Sequence, residues 1–274
     1  MRTTLPKNIL NKKNRALLSE LVRTDFKLRY QGSILGILWS VLKPLALFFV
    51  MYMVFVRFLK FTDGTPTFPL VLLLGISLWS FFAEATSVGM RSIVDRGDIL
   101  RKISFPKTII VLSTTIGSLI GLAINMAVVI VFAVFSGVQF TPWLLLVPLG
   151  IIQLYIIAMG LAFVLAALYV KFRDIGHIWD VVLQALFYAT PIIYPISMVI
   201  NNHPEIAKVM MLSPMTQAIQ DIRHNLIAPD TVPTTWSMID TWYIAIIPVI
   251  ITIALLVVGI VYFNKHSKSF AEDL

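Results

Sequence analysis

The feature that most constrains this chain is the run of residues 34–56, in which Lys43 is the single ionisable side chain. Such a stretch is long enough to cross the ~30 Å hydrocarbon core of a bilayer as one helix, and in a soluble fold it would have to be buried by the rest of the protein. The rest has too little polar material to do so. Hydrophobic residues make up 58% of the 274 and charged residues 13%, with a mean hydropathy of +0.87. Five further apolar runs follow, at residues 68–90, 108–135, 143–170, 178–200 and 241–263. The expected fold is therefore an all-α integral membrane protein with six transmembrane helices.

Ahead of the first run lies an amphipathic arm. On a helical wheel Leu17, Leu18, Leu21, Val22, Phe26 and Leu28 share one half, and Ser19, Glu20, Arg23 and Lys27 the other, the pattern of a helix lying at an interface. Asp25 and Arg29 intrude on the apolar half. Orientation follows from the connections, because flanking Lys and Arg are retained on the cytoplasmic side. Seventeen of the 22 basic residues sit in the N-terminal segment, the connections after the second and fourth runs, and the tail, against Arg57, Lys60, Lys208 and Arg223 on the other side. Both termini are expected in the cytoplasm, and no secretory signal precedes the arm. The same distribution explains the net charge of +8 without a nucleic-acid partner.

Motifs for chemistry are missing. The sequence contains no phosphate loop, no HExxH and no GxSxG, its four histidines lack ligand spacing, and it has no cysteine. The outer carboxylates Asp63, Glu205, Asp221, Asp230 and Asp240 do not pair as acid and base. A conduit fits better than an enzyme, and no metal or cofactor site is expected on this chain.

Several stretches could carry function. Lys43 and Glu84 are the charges well inside the runs, roughly 13 Å and 9 Å from the cytoplasmic ends at ~1.5 Å per residue, so they could meet. An unpaired charge there costs about 3 kcal/mol, which leaves a structural ion pair, snorkelling of Lys43, or contact with an anionic substrate. The segment RSIVDRGDILRKISFPK has Gly97 as a breaker, Asp98 as N-cap and Asp98 spaced i,i+4 from Lys102. It reads as a short helix, either a solvated loop or a docking knob for a cytoplasmic partner. In LFYATPIIYP, Pro191 and Pro195 should kink or break the fifth helix. The patterns EIAKVMML and PMTQAIQDIRHNLI are too short to span, and either lie on the surface or dip back into the membrane. Aromatics of the first, second and fifth runs form interfacial belts or offer faces to sugar rings.

The residues Asp25-Phe26-Lys27-Leu28-Arg29-Tyr30, Ser33-Ile34-Leu35-Gly36-Ile37-Leu38-Trp39 and Lys43-Pro44-Leu45 resemble the signature of the permease subunit of ABC-2-type exporters of polysaccharides and teichoic acids. Gly75 with Trp79-Ser80-Phe81-Phe82, residues 100–107 with Phe105-Pro106, Phe172-Arg173-Asp174-Ile175, and the broken-helix motif from Phe187 to Pro195 extend the resemblance over roughly residues 20–225. It implies a homodimer of this chain with two copies of an ABC ATPase that holds the ATP and Mg. It also implies a coupling helix around residues 95–104, gate helices after Pro195, and a lipid-linked glycopolymer, typically on undecaprenyl diphosphate, as cargo.

On that resemblance, ATPase coupling is expected at Arg23, Asp25, Lys27, Arg29, Asp95, Arg96, Gly97, Asp98, Arg101, Lys102, Arg173 and Asp174. The substrate channel or gate is expected at Trp39, Lys43, Phe48, Tyr52, Glu84, Phe187, Tyr188, Pro191, Tyr194, Pro195 and Arg223. The organisation is a cytoplasmic interface segment at 1–33, a six-span domain at 34–263 with an external gate region at 201–240, and a cytoplasmic tail at 264–274, all in the cytoplasmic membrane. Export of a drug or lipid, or a membrane glycosyltransferase, are the alternatives.

Overall fold

A computed structural model of the chain describes residues 11–30, 35–102 and 105–270, apart from a few side chains. Among the described residues all regular structure is helical. Helix α1 (Lys12–Tyr30) leads through a 3-10 turn (Gly36–Leu38) to α2 (Trp39–Met51), which continues as a π-helical segment (Tyr52–Phe58). Then come α3 (Phe68–Asp95), α4 (Gly97–Lys102), α5 (Thr108–Phe135), and α6 (Val147–Lys171), entered through a 3-10 turn at Pro142–Leu146. The second half comprises α7 (Ile175–Ala189), α8 (Ile196–Asn202), α9 (Pro204–Met211), α10 (Pro214–Leu226), α11 (Thr235–Met238), α12 (Trp242–Ala245) and α13 (Ile247–His266).

Five helices among the described residues are long and apolar enough to cross a membrane: Trp39–Phe58, Phe68–Asp95, Thr108–Phe135, Pro142–Lys171 and Trp242–His266. The expected fifth run, 178–200, is not one of them. Its helix α7 stops at Ala189, Thr190 turns extended (φ −90°, ψ 137°) because the residue before a proline is pushed out of the helical region, and α8 restarts only after Pro195. The first span begins later than expected because Gly36 has φ +49°, which an α-helix cannot pass through. Other prolines mark starts, at the first turns of α3, α6, α9, α10 and α13, where their missing N–H has no helical partner to lose, whereas Pro44 lies buried inside α2. The sequence places a turn at Gly32-Ser33, where the charges of the arm stop, and that turn, like the side chains of Arg29, Arg101 and Lys102, lies outside what is described.

Helix α3 is the hub. It packs along α5 and α6 and also touches α2, α7 and α10. Small residues permit this crowding: a Cβ on Gly89 would come within 2.7 Å of the Ala162 Cβ on α6. Helix α13 lies on α6 with Gly160 and Gly259 in direct opposition, where any side chain on Gly259 would overlap the Gly160 carbonyl. The outer faces of α2, α5, α6 and α13 remain apolar and exposed, through residues such as Phe49, Phe135, Leu149 and Val257, as a bilayer requires.

Candidate functional site

At the end of the bundle that carries α1 and α4, the amphipathic arm lies along α5. Leu17, Leu18, Leu21 and Val22 are half-buried, while Ser19, Glu20, Arg23 and Lys27 are exposed. Asp25, the residue that intrudes on the apolar half, has a reason to be there. Its carboxylate pairs with Arg96, between α3 and α4, and accepts from the Ser113 hydroxyl on α5 at 3.3 Å, while Arg96 Nη1 lies 3.0 Å from the same Ser113 Oγ. The two charged side chains are only 13% and 16% exposed. Asp25 and Arg96, expected to face a partner, thus form an internal clasp between the arm and the bundle.

The remaining charges at this end stay outward. Arg23, Lys27, Asp95, Asp98, Arg173 and Asp174 are exposed. Asp98, expected as the N-cap, instead lies within the first turn of α4, where a carboxylate suits the helix dipole, because Gly97, expected as a breaker, opens that helix. Arg91 and Arg173 bring positive charge to Asp95, and Arg173 lies 5.3 Å from the Tyr169 ring. One connection was not anticipated: the Lys107 ammonium donates to the Ser267 carbonyl and sits 5.3 Å from the ring of Phe270, which is buried against Phe263. The tail is thereby tied to the segment that enters α5.

Within the apolar belt, α2, α3 and α5 flank a half-open cavity of about 700 Å³. Trp39, Lys43 and Glu84 all line it, so the two charges singled out from the sequence do converge on one space. Ser118 donates to Glu84 Oε1 at 3.1 Å, and Asn125 Nδ2 donates to the carbonyls of Ser40 (3.1 Å) and Gly121 (3.0 Å), tying α5 to α2. The serines Ser77, Ser80, Ser87 and Ser118 and the amide Asn125 also line it, and sequence reasoning passed over them. The signal was present: Ser77, Ser80, Glu84 and Ser87 follow a 3-4-3 spacing that puts them on one stripe of α3. Phe48 on α2 and Tyr52 at the start of the π-helical segment have ring centroids 5.8 Å apart and lie outside this lining, with Arg57 5.6 Å from the Tyr52 ring.

The third group surrounds the broken helix. The Phe187 ring packs tilted against Trp79 of α3 with centroids 5.5 Å apart, and Trp179 Nε1 donates to Thr86 Oγ1 at 3.1 Å, so α7 is pinned to the hub by aromatics and one buried hydrogen bond. Tyr188 is exposed, and Tyr194 closes the break by donating to the Tyr188 carbonyl at 3.0 Å. Pro191 and Pro195 are buried. Arg223, expected in the channel or gate, is instead 2% exposed. It donates to the carbonyls of Pro191 (2.5 Å), Ile192 (2.7 Å) and Val71 (3.1 Å). The proline break strands carbonyls that no helix satisfies, and Arg223 collects them. Gly75 makes room, since a Cβ there would overlap the guanidinium. Nearby, Asp221 holds a buried, unpartnered Oδ1. Burial pushes its carboxyl up to about 7, opposed by a hydrogen bond from Trp236.

Comparison with known proteins places these features in a group. The family model described as ABC-2 type transporter matches residues 16–227. The chain is 30% identical over 223 residues to the O-antigen export system permease protein RfbA of Myxococcus xanthus, covering 80% of this chain and 84% of the relative. It is 28% identical over 261 residues to the protein of the same name from Klebsiella pneumoniae, covering 94% and 95% of the two chains.

Proposed function

Because the chain belongs to the ABC-2 type transporter family, as a multi-pass membrane transport component, we propose that it is the permease subunit of an ATP-driven exporter of a lipid-linked polysaccharide across the cytoplasmic membrane. The observation that carries this reading is the similarity to O-antigen export permeases along nearly the whole of both chains. The cargo is a glycan on a polyprenyl diphosphate carrier of the undecaprenyl type, and O-antigen and teichoic acid are its two nearest candidates. The working unit is two copies of this chain with two copies of a separate ATPase, which holds the ATP and Mg. Both termini and the α1/α4 end face the cytoplasm, the broken helix counts as a sixth span, and α8 to α10 cover the outer exit.

In this reading the exposed charges Arg23, Lys27, Asp98, Arg173 and Asp174 form the surface on which the ATPase acts. Movement of α4 reaches the arm through the Arg96–Asp25 pair, because that pair joins the α3–α4 junction to α1. It reaches the membrane helices through Ser113 on α5. The test is depletion of the protein in its host followed by extraction of lipid-linked saccharides. A polyprenyl-diphosphate glycan that accumulates on the inner side is the expected result, and its composition separates O-antigen from teichoic acid. An unchanged lipid-linked pool would sink the reading.

A further inference from the structure

Where α5 begins and α13 ends, a half-open pocket of about 290 Å³ is lined by Phe105, Lys107, Thr108, Asn264, Ser267 and Lys268 together with two neighbours. Both helices are long enough to span and both stop here, so the pocket stands where hydrocarbon gives way to headgroups. Its volume lies near the ~300 Å³ lower end of small-ligand sites, room for a headgroup with its chains left outside. Those chains have a surface to follow. Val257 and Val261 are exposed on α13 and lead to Asn264 at i+4 and i+3 spacing, on one face of the helix.

Two features select an anion. The first is charge: Lys107 and Lys268 both line the pocket, and its described lining holds no Asp or Glu. Lys107 uses one of its three N–H donors on the Ser267 carbonyl. Burial lowers its pKa, as happens to an ammonium that no carboxylate compensates. The second is Thr108, which is 6% exposed and whose Oγ1 is buried with no hydrogen-bond partner among the described residues. The other hydroxyls of α5, on Ser113, Thr114, Thr115 and Ser118, each bond a carbonyl three or four residues back. Thr108 opens the helix, so its equivalent carbonyls precede it and the hydroxyl is left over. An unpaired buried hydroxyl is costly, and this one stands at the positive end of the α5 dipole.

We propose that this pocket binds the phosphate of an anionic phospholipid of the surrounding membrane. Lys107 and Lys268 donate to the phosphoryl oxygens, the Thr108 hydroxyl donates from the buried side, and the acyl chains lie along α13. Basic pockets between membrane helices suit acidic lipid heads. A lipid of the bulk membrane is the occupant because α13 is mostly turned outward, with 22% of its strongest window buried inside the protein. Bound there, the lipid bridges the start of α5 and the tail beside the contact that Lys107 already makes with Ser267. It acts as a structural ligand, and the inference does not depend on what the protein exports.

The test is native mass spectrometry of the purified full-length chain, titrated in detergent with phosphatidylglycerol or phosphatidylcholine. Retained phosphatidylglycerol is expected, with phosphatidylcholine lost. Lys268→Gln, and Thr108→Val which changes no charge, should each weaken retention about tenfold, equivalent to ~1.4 kcal/mol. Lys265→Gln removes the same charge from an exposed residue of the last turn of α13, outside the pocket, and should change nothing. Equal losses in Lys265→Gln and Lys268→Gln, with none in Thr108→Val, would reduce the site to diffuse attraction by a basic flank and overturn the proposal. Should Thr108→Val lose its thermal transition, Lys268→Gln against Lys265→Gln decides alone. Complete displacement by an equimolar amount of undecaprenyl diphosphate would assign the pocket to a carrier lipid and refute a bulk phospholipid. Glu272 and Asp273, outside the described residues, are anions of the chain itself. If phosphatidylglycerol is retained only after Glu272→Gln and Asp273→Asn, the pocket belongs to them and the proposal fails.

Discussion

The first two membrane helices are close to equal in apolar character, yet 6% of the strongest window in Trp39–Phe58 is buried inside the protein against 78% in Phe68–Asp95. One shows most of its surface to lipid or to a partner, and the other is the axle on which the remaining helices turn. Hydropathy could not separate them, because it measures removal from water and both a bilayer and a protein interior are dry. The residues that do differ are small or polar. Helix α3 carries Gly75, Gly89, Ser77 and Thr86 at its contacts, whereas α2 presents Leu42, Phe49, Val50 and, at its π-helical end, Phe58 outward. Close approach between helices in lipid requires short side chains, so a membrane helix with many of them is one that other helices surround.

The sharpest way to break the comparison is to crowd the hub. Gly75→Val should evict the Arg223 guanidinium from its carbonyls and cost about 3–5 kcal/mol, read as loss of the cooperative thermal transition of the purified protein in detergent. A near-normal transition would show that α3 tolerates bulk as a lipid-facing helix does. Arg96→Gln, at the inner end of the hub, should cost about 3 kcal/mol locally by leaving the buried Asp25 unpaired. It should expose α1 to protease and let the partner ATPase turn over without export. Asp25→Asn in the same chain should recover part of the loss, and additivity of the two substitutions would refute the clasp.

Helix α10, which packs on α3, gives a smaller, titratable effect. The Asp221 carboxyl is raised from 3.8 to about 7 by burial, so the folded state binds its proton more tightly than the unfolded state. Stability from this source is complete below about pH 4, declines as the pH rises toward 7, and is level above. A urea titration at pH 5 and pH 8 should show that decline, and Asp221→Asn should remove it. The smallest effect belongs to α2: Phe49→Ala, on its exposed face, should shift stability of the isolated chain by less than ~0.5 kcal/mol. A large shift would mean that a second copy covers this face in solution.

Much was legible before any coordinates. Apolar run lengths located α5 at residues 108–135 and α6 and α13 to within a few residues, and the proline pair at 191 and 195 announced the break. The convergence of Lys43 and Glu84 followed from helix rise alone. Asp25 looked like a flaw in an amphipathic pattern, because its partner Arg96 is distant in sequence and only folding brings them together. Arg223 was read as a channel or gate residue, since nothing local shows that a broken helix will leave carbonyls within its reach. The serines facing the cavity had a visible spacing, but a serine in a membrane helix usually bonds its own backbone, as Ser77 does to Leu73.

By itself the sequence determined that this chain lives in a bilayer as helices, where α3, α5, α6 and α13 run, and which connections carry the basic residues. Those properties follow from transfer energies and backbone rules that act over a few turns. Only the tertiary structure decided which apolar helix would be the hub, which charges would be held inside, and where polar side chains from three helices would gather around a cavity. Those outcomes depend on close approach between segments far apart in the chain, where glycines, stranded carbonyls and buried carboxylates find partners that no local pattern specifies.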